Sequence, residues 1–119
     1  MEMKSAVGSL NALAHEGRLS TFRLLVQAGP DGLAAGEIAR RIGILPNTLS
    51  ASLNVLSHAG LIASRRDGRS VIYTANYDSM RDLLAFLMED CCNRAPEICA
   101  PLVELTKQAA CRTPQPATV

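Results

Sequence analysis

Four cysteines lie in the C-terminal part of this 119-residue chain: Cys91, Cys92, Cys99 and Cys111. Thiolates ligate soft ions and undergo redox exchange, and in a reducing compartment they serve those purposes rather than structural disulfides. Cys91 and Cys92 are vicinal. Neighbours on a helix point ~100° apart, yet near a helix end two adjacent thiols can converge on one ion. Cys99 lies seven residues beyond Cys92, which on an unbroken helix is ~10.5 Å of rise. Metal–sulfur bonds of ~2.3 Å need sulfurs within roughly 4 Å of one another. Pro96 removes the conflict, because it disfavours helix at Ala95 and breaks the hydrogen-bond ladder, so that Asn93–Glu97 can fold Cys99 back over the pair. Three thiolates without His or a paired carboxylate make a soft, low-coordinate site. Tetrahedral zinc wants a fourth ligand, whereas trivalent arsenic or antimony, with a lone pair, accepts a three-sulfur pyramid. Cys91, Cys92 and Cys99 are therefore expected to bind As(III) or Sb(III), with no organic cofactor. Two other chemistries stay open: a disulfide between Cys99 and one of the vicinal pair, and a zinc or cadmium site that recruits Cys111. An enzyme is not expected. A cysteine-based reductase needs an anion-cradling loop beside its nucleophile, and Asp90 with its acidic flank opposes one.

A second group of residues suits recognition of a polyanion. Pro46, Asn47, Thr48, Ser50, Ala51, Ser52 and Asn54 surround a leucine stripe formed by Leu49, Leu53 and Leu56. Asn pairs bidentately with adenine, and Thr or Ala methyls touch thymine methyls. Arg40, Arg41, Arg65, Arg66 and Arg69 suit phosphates or, at a tip, the minor groove.

These residues need elements to hold them. Ala6, Val7, Leu10, Leu13 and Ala14 recur as one helical stripe, and Leu19, Phe22, Leu25 and Val26 as a second. Gly29-Pro30-Asp31-Gly32 ends the second helix with a turn. A short third helix carries Ile38 and Ile42 and stops at Gly43. Pro46 opens a fourth, where its missing N–H costs nothing, and Gly60 closes it. The period then changes. Leu61–Arg66 and Arg69–Thr74 read as strands joined by Asp67-Gly68, a two-residue hairpin signal. Helical period returns with Met80, Leu83, Leu84, Leu87, Met88 and Cys91, capped by Asn76 or Asp78. A weaker helix is expected from about Leu102 to Ala110, and Thr113–Val119 is expected to be disordered. A short helix, a Gly-containing turn and a second amphipathic helix make a helix-turn-helix; the hairpin after it is a wing. The expected fold class is α+β, mainly α: a winged helix-turn-helix with a two-stranded wing, in one domain over residues 1–112.

Composition bounds the reading. The chain is 48% hydrophobic and 19% charged, as in ordinary globular domains, which excludes collagen-like, disordered and disulfide-dense classes. No apolar run approaches the ~20 residues of a membrane span, and Met1–Leu10 has no signal-peptide pattern. A cytoplasmic protein without membrane contact is expected. The formal net charge of +1 hides segregation. Glu37–Ser70 carries five arginines against two acids, and Tyr77–Leu105 six acids against two arginines. The middle of the chain can face a polyanion and the C-terminal part cannot.

Together these segments resemble the ArsR/SmtB-type winged-helix metalloregulators. The resemblance rests on Leu13-Ala14-His15-Glu16-Gly17-Arg18-Leu19, Gly36-Glu37-Ile38-Ala39, Leu53-Asn54-Val55-Leu56-Ser57-His58-Ala59-Gly60-Leu61-Ile62 and Arg65-Arg66-Asp67-Gly68-Arg69-Ser70-Val71-Ile72-Tyr73, over roughly residues 6 to 90. It implies a homodimeric repressor that leaves operator DNA when a metal or metalloid binds, with dimerisation through the first and last helices. Val7, Leu10 and Leu13, and Met80, Leu83, Leu84, Leu87 and Met88, suit that interface. The cysteine cluster matches arsenic-responsive members whose cysteines lie near the C-terminal helix. Two departures stand out. The third helix, Gly36-Glu37-Ile38-Ala39-Arg40-Arg41, lacks the family's Cys-x-Cys-type box, and Ala51 and Ser52 replace the usual basic or His residues of the recognition helix.

Overall fold

The computed structural model describes residues 1–89. Cys91, Cys92, Cys99 and Cys111, the expected helix at about 102–110 and the 113–119 tail lie outside the described residues. Among the described residues there are five α-helices: α1 (Met3–Leu13), α2 (Glu16–Ala28), α3 (Ala35–Ile42), α4 (Pro46–His58) and α5 (Tyr77–Met88). Three strands join them: β1 (Leu33–Ala34), β2 (Ile62–Asp67) and β3 (Ser70–Ala75). The chain divides into two compact units, Met1–Leu83 and a second beginning at Leu84.

Local chemistry sets most of the boundaries. Gly43 leaves α3 in a left-handed conformation (φ 81°, ψ 39°). At the end of α4, Gly60 N–H donates to Ser57 O at 3.0 Å and Leu61 N–H to Leu56 O at 3.0 Å. That pair of bonds is a Schellman motif, for which Gly60 (φ 77°) supplies the positive φ. Asn76, rather than Asp78, caps α5: its side chain accepts from Ser79 N–H at 3.2 Å. The same side chain donates to Gly60 O at 3.0 Å, linking the end of α4 to the start of α5. Arg18 of α2 reaches back and donates to Ala12 O at 2.6 Å, covering a carbonyl at the end of α1.

The core of the first unit draws on α2, α3, α4 and the sheet. Leu25, Ile38, Leu56 and Leu61 are fully buried, with Phe22, Leu49, Leu53, Ile62 and Ala75 around them. Each of these leucine, isoleucine and phenylalanine side chains contributes on the order of 1.5–3 kcal/mol by leaving water. The helical stripes rotate from their expected faces. In α1 the buried residues are Ala6, Ser9 and Ala12, while Val7 and Leu10 are exposed. Small side chains let α1 approach its neighbours and leave the larger ones outside. In α2, Thr21 takes the inner position, its hydroxyl donating to Gly17 O at 2.8 Å, and Leu19 is exposed.

The β2–β3 hairpin forms the expected two-stranded wing, and a third strand, β1, joins it in one sheet. Its order is β1-β3-β2, all antiparallel. The two-residue β1 pairs Leu33 with Tyr73 and Ala34 with Ile72, and so short a strand carries no period to read. The turn is also displaced by one residue. Asp67 pairs with Ser70, so the loop is Gly68-Arg69 rather than Asp67-Gly68. Positive φ falls on Gly68 (64°) and not on Arg69, the pattern of a II′ turn, whose first central position wants glycine. The register therefore moves by two residues, Arg66 pairing with Val71 instead of Arg69, and each side chain keeps its face.

Candidate DNA-binding face

The face is built on α4. Leu49, Ser52, Leu53 and Leu56 point into the core, and Pro46, Asn47, Thr48, Ser50, Ala51 and Asn54 are exposed. Ser52 corrects its expected place among the contact residues: at 6% exposure it belongs to the inner stripe. Its spacing from Leu49, Leu53 and Leu56 is that of one helical face, which overrides the polarity of its side chain. The exposed set begins at the N-terminus of α4, the end of a recognition helix that meets base edges. Sequence reasoning also missed Leu45, which precedes Pro46 and is 73% exposed. The signal available was a leucine at a helix N-cap, a position that favours Ser, Thr, Asn or Asp.

The arginines divide into three roles. Arg66 and Arg69 lie exposed on the β2–β3 hairpin. Arg65 is engaged within the fold. Its guanidinium donates to Asp31 O at 2.9 Å and to Pro30 O at 3.4 Å, tying β2 to the connection between α2 and β1. Arg40 and Arg41 share one carboxylate: both donate to Glu37 Oε2, Arg41 at 2.6 Å. These bonds, Arg40 first, hold the Glu37 carboxyl below its ordinary value, and the Arg40 guanidinium is correspondingly raised. Both guanidiniums are exposed and the carboxylate is half-buried, so the trio shapes the local field more than the stability.

The residues expected at a dimer interface also separate. Leu83 is buried, and Leu13 and Met80 pack against the core, so these three serve the fold of one chain. Val7 and Leu10 on α1 are exposed, as are Leu84 and Leu87 on α5, while Met88 is half-buried. Among the described residues no group of three or more His, Cys, Asp or Glu could hold a metal ion. Among them, too, no helix is long and apolar enough to cross a membrane.

Comparison with known proteins agrees with this architecture. A helix-turn-helix domain family matches residues 13–65. An HTH-type transcriptional regulator of Mycobacterium tuberculosis is 36% identical over 73 residues, which are 61% of this chain and 62% of the relative, so the chain spans less than two thirds of that protein's length. The HTH-type regulator YceK of Bacillus subtilis is 32% identical over 66% of this chain and 77% of its own length. The putative arsenical resistance operon repressor ArsR of Halobacterium salinarum is 36% identical over 56% of this chain and 51% of its own. Among solved structures, the homodimeric winged helix-turn-helix DNA-binding domain of Mb0332 from Mycobacterium bovis, a possible ArsR-family regulator, superposes with a TM-score of 0.61. It is 27% identical and covers 76% of this chain and 82% of that one. With a helix-turn-helix, a glycine-turned wing and these relatives, the chain belongs to the ArsR/SmtB-type winged-helix family of transcriptional regulators.

Proposed function

We propose that this chain is a cytoplasmic repressor that binds operator DNA as a homodimer and is released by As(III) or Sb(III) at Cys91, Cys92 and Cys99. The observation that carries the DNA-binding part is the exposed face of α4, with Asn47, Thr48, Ser50, Ala51 and Asn54 presented outside a leucine core. Asn47 and Asn54 supply paired donor and acceptor groups for adenine, and the arginines of the hairpin supply phosphate contacts. Arg40 and Arg41 join them once phosphate competes with Glu37. The exposed Val7 and Leu10, and Leu84 and Leu87, support self-association, as does the homodimeric state of the Mb0332 domain. In a dimer, two copies of α4 meet half-sites about one helical turn apart.

The sensing part rests on donor chemistry. Three thiolates, with a proline between the vicinal pair and the third, suit a pyramidal trivalent metalloid better than tetrahedral zinc. Similarity to an arsenical resistance repressor supports the same input. Closing three As–S bonds would draw residues 91–99 together beyond α5 and bias the spacing of the two DNA-reading helices. A coupling of ~1–3 kcal/mol lowers operator affinity roughly five- to hundredfold, and DNA lowers metalloid affinity by the same factor.

Fluorescence anisotropy on the protein's own promoter, titrated with As(III), Sb(III), Zn(II), Cd(II) and peroxide, tests the reading. Release by As(III) and Sb(III), lost in Cys99→Ser while DNA binding persists, is the expected result. Undiminished arsenite release from Cys99→Ser overturns the three-thiolate site. Release by peroxide alone, reversed by reductant, replaces it with a disulfide switch.

A further inference from the structure

Leu45 is a leucine in an expensive place. It is 73% exposed, although Ile44 beside it packs against the core. It also occupies the N-cap of α4, with extended backbone (φ −69°, ψ 147°) and no side-chain cap bond. Serine, threonine, asparagine or aspartate there would satisfy an orphan N–H of the first turn; leucine cannot. Neither the core nor the helix therefore gains from it, and a residue that breaks a local rule without local benefit points to function.

The surroundings indicate what it meets. From Leu45 to Ser57 the chain has no charged side chain, so no arginine or lysine on α4 is available to read guanine O6 and N7. Thr48, Ala51 and Val55 are all exposed and lie along one side of α4, and the exposed Leu45 immediately precedes the helix. In the major groove the apolar feature available to such a stripe is the C5-methyl group of thymine.

Resting on the operator-binding reading above, we propose that Leu45 is a specificity-determining residue. It packs on a thymine methyl in the major groove, Thr48 extends the methyl contact, and the operator is biased toward A·T pairs under the start of α4. Asn47 and Asn54 read adenine within the same A·T-biased site.

The test uses duplexes selected by the full-length protein from a random pool. Each thymine of the selected site is then replaced singly by deoxyuridine, which removes the methyl and leaves the pairing edge intact. For the wild-type chain, uracil at one or two positions per half-site is expected to weaken binding about fourfold each, from about 0.8 kcal/mol per methyl-sized group buried. Leu45→Ala and Leu45→Ser are expected to bind the thymine and uracil duplexes equally at the position Leu45 covers. Leu45→Ser also restores an N-cap, so its unchanged or raised Tm shows that lost discrimination is not lost folding. Wild-type binding indifferent to uracil at every position overturns the proposal, as does undiminished uracil sensitivity in Leu45→Ser. Failure of the wild-type chain to select any duplex overturns the operator-binding reading itself.

Discussion

Arg65 in β2 donates to the main-chain oxygen of Asp31 at 2.9 Å, across 34 residues of sequence. The bond makes one of the three wing arginines a strut between hairpin and helical body, so that the proposed phosphate contacts fall to the exposed Arg66 and Arg69. Replacing each by Gln separates the roles. Arg66→Gln and Arg69→Gln are expected to keep the wild-type Tm and to reduce the slope of log affinity against log salt by ~0.9 for each phosphate left without its arginine. Arg65→Gln is expected to lose about 1 kcal/mol of stability. Thermal melts and anisotropy titrations between 50 and 200 mM salt, roughly the range over which counterion release is read, check the contrast. Equal Tm in all three variants would show that the strut contributes nothing.

Glu37 holds Arg40 and Arg41 in a local ion pair. Glu37→Gln is expected to free both guanidiniums, tighten binding to random-sequence DNA and steepen its salt dependence. The pair also has a pH signature. A carboxyl whose folded value is lowered contributes stability above its ordinary value of 4.5 and loses it as pH falls through the lowered one. The wild-type and Glu37→Gln melting curves are therefore expected to converge in acid. A gap between them that widens below pH 4.5 would contradict the direction of that shift.

Gly32 is a backbone requirement. It adopts φ 69° and ψ −171°, a region populated essentially by glycine alone. A Cβ there would collide with the carbonyl oxygen of Tyr73 and the methyl groups of Ile72 and Thr74. Gly32→Ala is expected to cost about 3 kcal/mol or more and to detach β1 from β3. Gly36 is helical, and a Cβ there meets nothing within 4 Å. Gly36→Ala is expected to stabilise by about 0.5 kcal/mol. Chemical denaturation of both variants gives the comparison, and similar losses in the two would refute it.

The separation of interface from core residues is tested by association. Val7→Glu and Leu10→Glu place charges on an exposed face of α1; they are expected to abolish dimerisation in sedimentation while leaving helical content intact. Leu83→Ala removes a buried side chain and is expected to cost 2–5 kcal/mol, roughly the range for cavity-forming leucine substitutions. A Val7→Glu chain that remains dimeric would move the interface elsewhere.

Much of the architecture was legible from local chemistry. Pro46 marks the start of α4, Gly43 and Gly60 mark helix ends, and the change of hydrophobic period at Leu61 announces the hairpin. Each signal acts within a few residues, through a fixed φ, a missing N–H or a left-handed cap, so no tertiary partner is needed to read it. Tertiary structure decided the rest. Ala6, Ser9 and Ala12 face inward because close approach favours small side chains, which turns Val7 and Leu10 outward against the simple hydrophobic reading. Ser52 is buried because its position on α4 outweighs its polarity. Leu33 and Ala34 become a strand only because β3 stands beside Gly32. Arg65 leaves the DNA-facing set because two carbonyls at Pro30 and Asp31 lie within its reach. Such outcomes depend on which residues distant in sequence meet in space, and periodicity along one element does not encode that meeting.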